Sequence, residues 1–216
     1  MMERLVCVAI GYLFGLFQTA YIYGKLHGID IRNYGSGNAG TTNTLRVLGT
    51  KAGLIVLAGD ILKCILAIAA VRLLFAGGVH EDMYYLLAMY AALGAILGHD
   101  YPFYLGFKGG KGVLVGAVML AFFDWRVFVI AFALFILSVV LTKWISLGSI
   151  LGAVSFPITT WLFYRDPVLT AMAFGMAAAV IFMHRSNIGR ILHGTENKFS
   201  FKSKKTIEAS PDGEEK

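Results

Sequence analysis

Three short polar, glycine-rich stretches interrupt an otherwise apolar chain. They are Gly35-Ser36-Gly37-Asn38-Ala39-Gly40-Thr41-Thr42-Asn43, Phe107-Lys108-Gly109-Gly110-Lys111-Gly112 and His184-Arg185-Ser186-Asn187-Ile188. Their residue types suit phosphate. Glycines at 35, 37 and 40 permit positive φ and close approach of the backbone. Successive N–H groups in such a turn form an anion-binding nest. Ser36, Asn38, Thr41, Thr42 and Asn43 add hydroxyl and amide groups, and Arg46 adds a planar fork matched to phosphate. That density of hydrogen-bonding side chains exceeds what a polar linker between helices needs. Ser36 does not sit in a G-x-S-x-G elbow, because position 34 is Tyr. An orienting hydroxyl is expected there, not a hydrolase nucleophile.

The second stretch reads GHDYPFYLGFKGGKG over 98–112. It is not a Walker loop, since Lys111 is followed by Gly112 and not by Ser or Thr. Its physics is similar: Lys108 and Lys111, spaced by Gly109 and Gly110 and followed by Gly112, would neutralise a dianion. His99 either hydrogen-bonds a substrate or anchors the loop, and Pro102 fixes a turn. In the third stretch, a helix that continued past His184 would place His184 and Asn187 on one face at i and i+3. Histidine is the side chain suited to carry a proton near neutral pH. Glu196 is expected to pair with a nearby arginine. Asp60 and Lys63 are i,i+3 neighbours inside an apolar run. Charges at such depth are functional suspects, but their distance from the loop favours a scaffold ion pair.

Elements of a particular kind must position these stretches. Of the 216 residues 57% are hydrophobic and only 15% charged, with mean hydropathy +0.70; a soluble domain carries about 25% charged residues. The chain reads as an all-α, polytopic integral membrane protein with no room for a separate soluble domain. Seven segments suit spans of about 20 residues, near 4–24, 53–76, 83–98, 112–124, 127–142, 147–163 and 168–184. The fourth is short enough to be re-entrant, and the break at Asp124-Trp125-Arg126 is thin enough for 113–142 to merge into one helix. Charge decides between these. Lys25, Arg32, Arg46 and Lys51 follow the first span, and Arg185, Arg190, Lys198, Lys202, Lys204, Lys205 and Lys216 follow the last. Positive-inside places both groups in the cytoplasm, which requires seven spans, an outside N-terminus and a cytoplasmic C-terminus. All three polar stretches then share the cytoplasmic face, opposite the short loops at 77–82, 124–126 and 165–167.

The run from Leu5 to Tyr23 is too long for a signal-peptide core and reads as a retained first span. Residues 1–198 form one expected domain, and 199–216 a polar tail expected to be disordered. Cys7 and Cys64 read as buried small apolar groups, with no metal spacing. The net charge of +6 is scattered between spans, so nucleic acid is not an expected partner; anionic headgroups or an anionic substrate suit it better.

Together the three stretches resemble the bacterial acyl-phosphate:glycerol-3-phosphate acyltransferases of the PlsY type, which carry GSGNxGxTNxxR, GHxxPxxxxFKGGKG and HRxNIxR in this order on a small seven-span protein. Here the same positions read GSGNAGTTNTLR at 35–46, GHDYPFYLGFKGGKG at 98–112 and HRSNIGR at 184–190. The resemblance runs from the first span to about Lys198. It departs after the second stretch, where Val113-Leu114-Val115 lacks a hydroxyl usual in that family.

The resemblance implies transfer of an acyl group from acyl phosphate to glycerol 3-phosphate, giving the 1-acyl product and phosphate. It implies that Ser36 and Arg46 are needed for activity, that Lys108 to Gly112 hold the substrate phosphate, and that His184 and Asn187 complete the site. Ser36, His184 and Asn187 are then the catalytic candidates. Gly35, Gly37, Asn38, Thr42, Asn43, Arg46, His99, Lys108, Gly109, Gly110, Lys111 and Gly112 are the substrate-binding ones. No metal or cofactor is expected. The expected partners are both substrates, membrane lipids and the enzyme that makes acyl phosphate. The expected location is the bacterial inner membrane, with the site on its cytoplasmic face.

The residues agree with that reaction. Two phosphorylated substrates want two anion sites, and an acyl phosphate is already an activated anhydride, so alignment and charge stabilisation carry the catalysis. No histidine has an aspartate five residues on, so the H-x-x-x-x-D motif of thioester-using acyltransferases is missing. A transporter for a phosphorylated anion would instead want polar groups near the bilayer midplane and access from both faces.

Overall fold

A computed structural model describes residues 2–75 and 81–200, with backbone alone for 81–85. The described residues are helical, without strands. The helices are α1 (Met2–Gly15), α2 (Thr19–Leu26), α3 (Thr41–Leu48), α4 (Thr50–Leu74), α5 (Glu81–Asp100), α6 (Val113–Phe123), α7 (Trp125–Thr142), α8 (Ile145–Tyr164), α9 (Pro167–Met183) and α10 (Arg185–Leu192). Short 3-10 turns occupy Ile31–Asn33 and Phe103–Leu105. Most of the expected loop at 77–82 and residues 201–216 of the tail lie outside the described residues.

Apolar helices stand at all seven positions expected for spans. Met2–Leu26, Thr50–Leu74, Trp125–Thr142 and Ile145–Tyr164 are each long and apolar enough to cross a bilayer. The first is not continuous: it breaks over Leu16–Gln18, where a buried glutamine turns its amide onto another helix. α6 has 11 residues, about 16 Å at 1.5 Å per residue, roughly half the hydrocarbon thickness. The merged 113–142 helix does not form, because Asp124 takes up extended backbone and accepts the Arg126 N–H at 2.8 Å as the N-cap of α7. Asp166 caps α9 in the same way, with Pro167 at its first position.

Glycine decides how the helices meet. α1 and α5 cross through Gly11 and Gly15 on one side and Gly94 and Gly98 on the other. A Cβ at Gly11 would lie 1.7 Å from the Ala91 carbonyl oxygen, and one at Gly94 would lie 2.1 Å from that of Val8. Paired small-xxx-small faces let two backbones pack this closely in lipid, where hydrophobic burial no longer drives association. The core between α4, α5, α6, α8 and α9 holds Met89, Val115, Met119, Phe123, Phe156 and Met176. One side of α7, with Leu137 and Leu141, is exposed on the outside of the protein, as on a lipid-facing helix. α9 does not continue through His184 as a straight helix: α10 leaves it at 59°. His184 and Asn187 therefore flank a bend.

Candidate active site

The first loop is folded around one buried amide. Asn43, near the start of α3, accepts the Ser36 N–H on Oδ1 at 2.8 Å. Its Nδ2 donates to the carbonyls of Tyr34 at 2.9 Å and Ile31 at 3.2 Å. Gly35 sits at φ +62, and a Cβ there would lie 2.3 Å from Asn43 Oδ1. The loop can close over Asn43 only with glycine at that position. Both amide protons of Asn43 and one acceptor site of its oxygen are thus engaged by the loop. Its fold leaves Ser36, Asn38, Thr41, Thr42 and Arg46 on the wall of a cavity. Arg32 pairs with Asp30 at 2.7 Å and donates to the Leu105 carbonyl at 3.0 Å, tying this loop to the second.

The second loop folds back on the end of α5. The Gly110 N–H donates to the His99 carbonyl at 2.9 Å, and the Gly109 N–H to that of Asp100 at 3.1 Å. A Cβ at Gly109 would lie 2.0 Å from the His99 oxygen, and one at Gly110 would lie 1.9 Å from His99 Nε2. Both glycines are therefore required by contact. His99 is buried, and its Nδ1 stands 2.7 Å from Lys63 Nζ. The loop then turns at Gly112, at φ +65, into α6. Lys111 is left reaching across to Asn187, donating to its Oδ1. Lys108 is exposed and does not line that cavity.

The third stretch supplies the rest. His184 caps α9, and its Nδ1 lies 2.8 Å from the Val180 carbonyl. A carbonyl only accepts, so Nδ1 carries the proton and Nε2 keeps its lone pair. Asn187 donates to Glu196 Oε1 at 2.7 Å. Glu196 also accepts from Ser146 at 2.8 Å and from Arg190 Nε at 2.8 Å. The segment after α10 is tied down again where the Phe199 N–H donates to the Lys143 carbonyl at 2.7 Å. Lys111, Asn187, Glu196, Ser146 and Arg190 thus form one connected polar wall.

Charge in this wall is unbalanced. Arg46, Lys111 and Arg190 line the same cavity with Glu196 and Asp60; Asp60 is paired with Lys63, which leaves three cations facing Glu196. Burial lowers the Arg46 guanidinium below its ordinary value, Glu196 opposes that, and Arg190 adds to it. Among the described residues no group accepts a hydrogen bond from that guanidinium. Burial, then Arg190, pushes the Lys111 ammonium down from 10.5 to about 8, with Glu196 opposing and Arg46 and Arg185 adding to the shift. Glu196 is pulled up by burial, but hydrogen bonds from Asn187, Ser146 and Arg190 outweigh this and hold it below its usual value. A cluster of partly desolvated, mutually repelling cations is stabilised by a bound dianion.

The cavity measures about 410 Å³ and has two characters. The polar end holds the wall just described. The remainder runs between helices along Leu120, Phe128, Phe132, Phe135, Phe156 and Met176. Such a space fits an amphiphile with an anionic head and an apolar chain.

Of the expected site residues, Ser36, Asn38, Thr42, Asn43, Arg46, His99, Lys111, Gly112, His184 and Asn187 line this one cavity. Gly35, Gly37, Lys108, Gly109 and Gly110 do not. Gly35, Gly109 and Gly110 sit behind the wall as close-contact positions. Arg190 and Ser146 join the wall although the sequence reading gave neither a role in the site. Arg190 was visible as the last residue of the third stretch; Ser146, in an apolar helix, carried no signal.

Comparison with known proteins places the chain in a family. The family model described as glycerol-3-phosphate acyltransferase matches residues 5–194. A glycerol-3-phosphate acyltransferase of Thermoanaerobacter sp. (strain X514) is 39% identical over 203 residues, covering 94% of this chain and 98% of its own length. Two solved structures are similar throughout. One is PlsY, an integral membrane glycerol 3-phosphate acyltransferase, in its glycerol 3-phosphate form, with TM-score 0.81, 31% identity and coverage of 91% of this chain and 96% of that one. The other is its lysophosphatidic acid form, with TM-score 0.77, 30% identity and coverage of 92% and 96%. The chain belongs to the glycerol-3-phosphate acyltransferase family.

Proposed function

We propose that this bacterial membrane acyltransferase takes its acyl group from acyl phosphate and delivers it to the primary hydroxyl of glycerol 3-phosphate. The cavity's division carries this reading: one end is lined by Arg46, Lys111 and Arg190, and the other by aromatic and aliphatic side chains of α6 to α9. The polar end receives the phosphates and the apolar arm the acyl chain. The hydroxyl oxygen attacks the acyl carbonyl carbon, the bond from that carbon to the phosphate oxygen breaks, and phosphate leaves with both electrons. The hydroxyl proton passes to His184 Nε2 or to a phosphate oxygen. Because the donor is an anhydride, the protein's tasks are to align the two substrates and to stabilise charge on the departing phosphate. Ser36, whose hydroxyl makes no hydrogen bond among the described residues, orients the substrate. Asn187 holds the Lys111 ammonium toward the head-group end.

Seven crossings, an outside N-terminus and a cytoplasmic site complete the reading, supported by the cationic residues that follow the first and last apolar segments. α6 then crosses as a short helix extended by its flanks.

The test offers acyl phosphate and acyl thioester side by side to purified protein with labelled glycerol 3-phosphate. Labelled 1-acyl product from acyl phosphate only, lost in folded Ser36→Ala, supports the proposal. Product from the thioester, or full activity in Ser36→Ala, overturns it.

A further inference from the structure

Lys63 lies on α4, nearly four turns into an apolar helix, and is 3% exposed. An ammonium has three protons, and here each has an acceptor on a different element: His99 Nδ1 on α5 at 2.7 Å, Asp60 Oδ1 on α4 at 2.9 Å, and the Phe17 carbonyl in the α1–α2 break at 3.0 Å. Thr19 on α2 also donates to Asp60 Oδ1, at 3.3 Å. Gln18 reinforces the same junction, donating to the His99 carbonyl at 2.9 Å and the Gly98 carbonyl at 3.2 Å. A buried charge with every proton accepted is rigid, because moving any partner leaves an unpaired group in a low-dielectric interior.

This junction ends on the second loop. His99 is held by Lys63 through its ring and by Gln18 through its carbonyl. The same carbonyl accepts the Gly110 N–H, and the face of Gly110 that would bear a Cβ lies against His99 Nε2. Gly110 is adjacent to Lys111. We infer that Lys63, with Asp60, Gln18 and His99, is a positioning network that sets where the Lys111 ammonium stands in the cavity, and that it thereby governs affinity for the phosphorylated acceptor. This inference rests on the proposal that Lys111 binds that phosphate.

His99→Asn and His99→Leu separate positioning from general support. An asparagine amide reaches the place of Nδ1 and can accept from Lys63; leucine cannot. Asp60→Asn/Lys63→Met removes the buried pair together, leaving no lone charge. Each variant is purified in detergent and checked for monodispersity. The KM for glycerol 3-phosphate, kcat, and the pH dependence of kcat/KM are then measured. The expected result is a KM for His99→Asn well below that of His99→Leu. His99→Leu and the double variant should show a KM raised tenfold or more with a smaller change in kcat. An alkaline limb set by Lys111 is expected near pH 8 in the native protein, and in these variants it should move upward as Lys111 is released toward solvent.

The inference fails if folded His99→Leu and the double variant keep the native KM and limb, or if His99→Asn and His99→Leu lose activity alike. It fails also if both His99→Leu and the double variant do not fold, since the junction would then serve the whole protein and not the loop. Lys111→Met is the separate control: a native KM in that variant removes the phosphate role of Lys111 itself, whatever the network variants do.

Discussion

Raising the pH should weaken glycerol 3-phosphate binding through a single side chain. Lys111 in the empty site loses its proton near pH 8 because burial and the neighbouring arginines disfavour its charge. A phosphate dianion against the ammonium reverses that, bringing the bound value back toward the ordinary 10.5. The sign follows directly: below pH 8 both free and bound forms are protonated and affinity is flat. Between the two values the free site is neutral and must take up a proton to bind, so affinity falls about tenfold per pH unit. From about pH 7 to about pH 9.5 the KM should rise about 30-fold, roughly 2 kcal/mol at 1.36 kcal/mol per unit. The substrate phosphate, with its second ionisation near 6, is already dianionic across most of this range. The assay is initial-rate acyl transfer at fixed donor, varying glycerol 3-phosphate, with spontaneous donor hydrolysis subtracted. Lys111→Arg should give a flat profile, because guanidinium stays charged. Lys111→Met should give a raised, flat one, about 10- to 150-fold above the native value at neutral pH for a lost charge-assisted hydrogen bond of about 1.5–3 kcal/mol. A native KM that does not change over this range, or one that climbs equally in Lys111→Arg, refutes the reasoning.

Three further outcomes follow from contacts elsewhere. Asn43→Ala should release the first loop from α3 and cut kcat/KM at least tenfold, while thermal unfolding in detergent shifts by only a few degrees, since its hydrogen bonds hold the loop alone. Gly11→Leu should lower the unfolding temperature sharply or abolish folded protein, because even a Cβ there meets the Ala91 carbonyl at 1.7 Å; fluorescence-detected size exclusion after heating reads this. Gly152 lines the apolar arm facing Ala131, so Gly152→Leu should shift donor preference toward shorter acyl chains, measured by competing acyl phosphates of different length.

How legible was this in the chain? The apolar helices were, because a span needs a long uninterrupted apolar run and little else competes. Six of the seven expected segments each coincide with one helix to within a few residues, and the first is split between α1 and α2. The interruption of the first at Gln18 was not, since a lone glutamine in an apolar run gives no hint that its amide reaches carbonyls some eighty residues away. The bend at His184 was equally silent, as local sequence there suits a continued helix. In the site, residue types announced the phosphate chemistry, but sequence spacing could not separate wall from backing. Gly35, Gly109 and Gly110 read as nest positions; the fold uses their missing Cβ for close packing against Asn43 and the end of α5. Lys108 and Lys111 looked equivalent in sequence, and only one lines the cavity. Asp60 and Lys63 do pair, as their spacing suggested, whereas the third partner, His99, lies on another helix and needed the fold to appear.

The proposed head-group site for glycerol 3-phosphate, built by three loops, can be probed by calorimetric titration of glycerol 3-phosphate into purified protein without acyl donor. Saturable binding is expected near neutral pH, weakened at least tenfold in Arg46→Ala and in Lys111→Met, with no binding of glycerol at the same concentrations. Equal affinity in both variants, or glycerol binding as well as its phosphate, would contradict it.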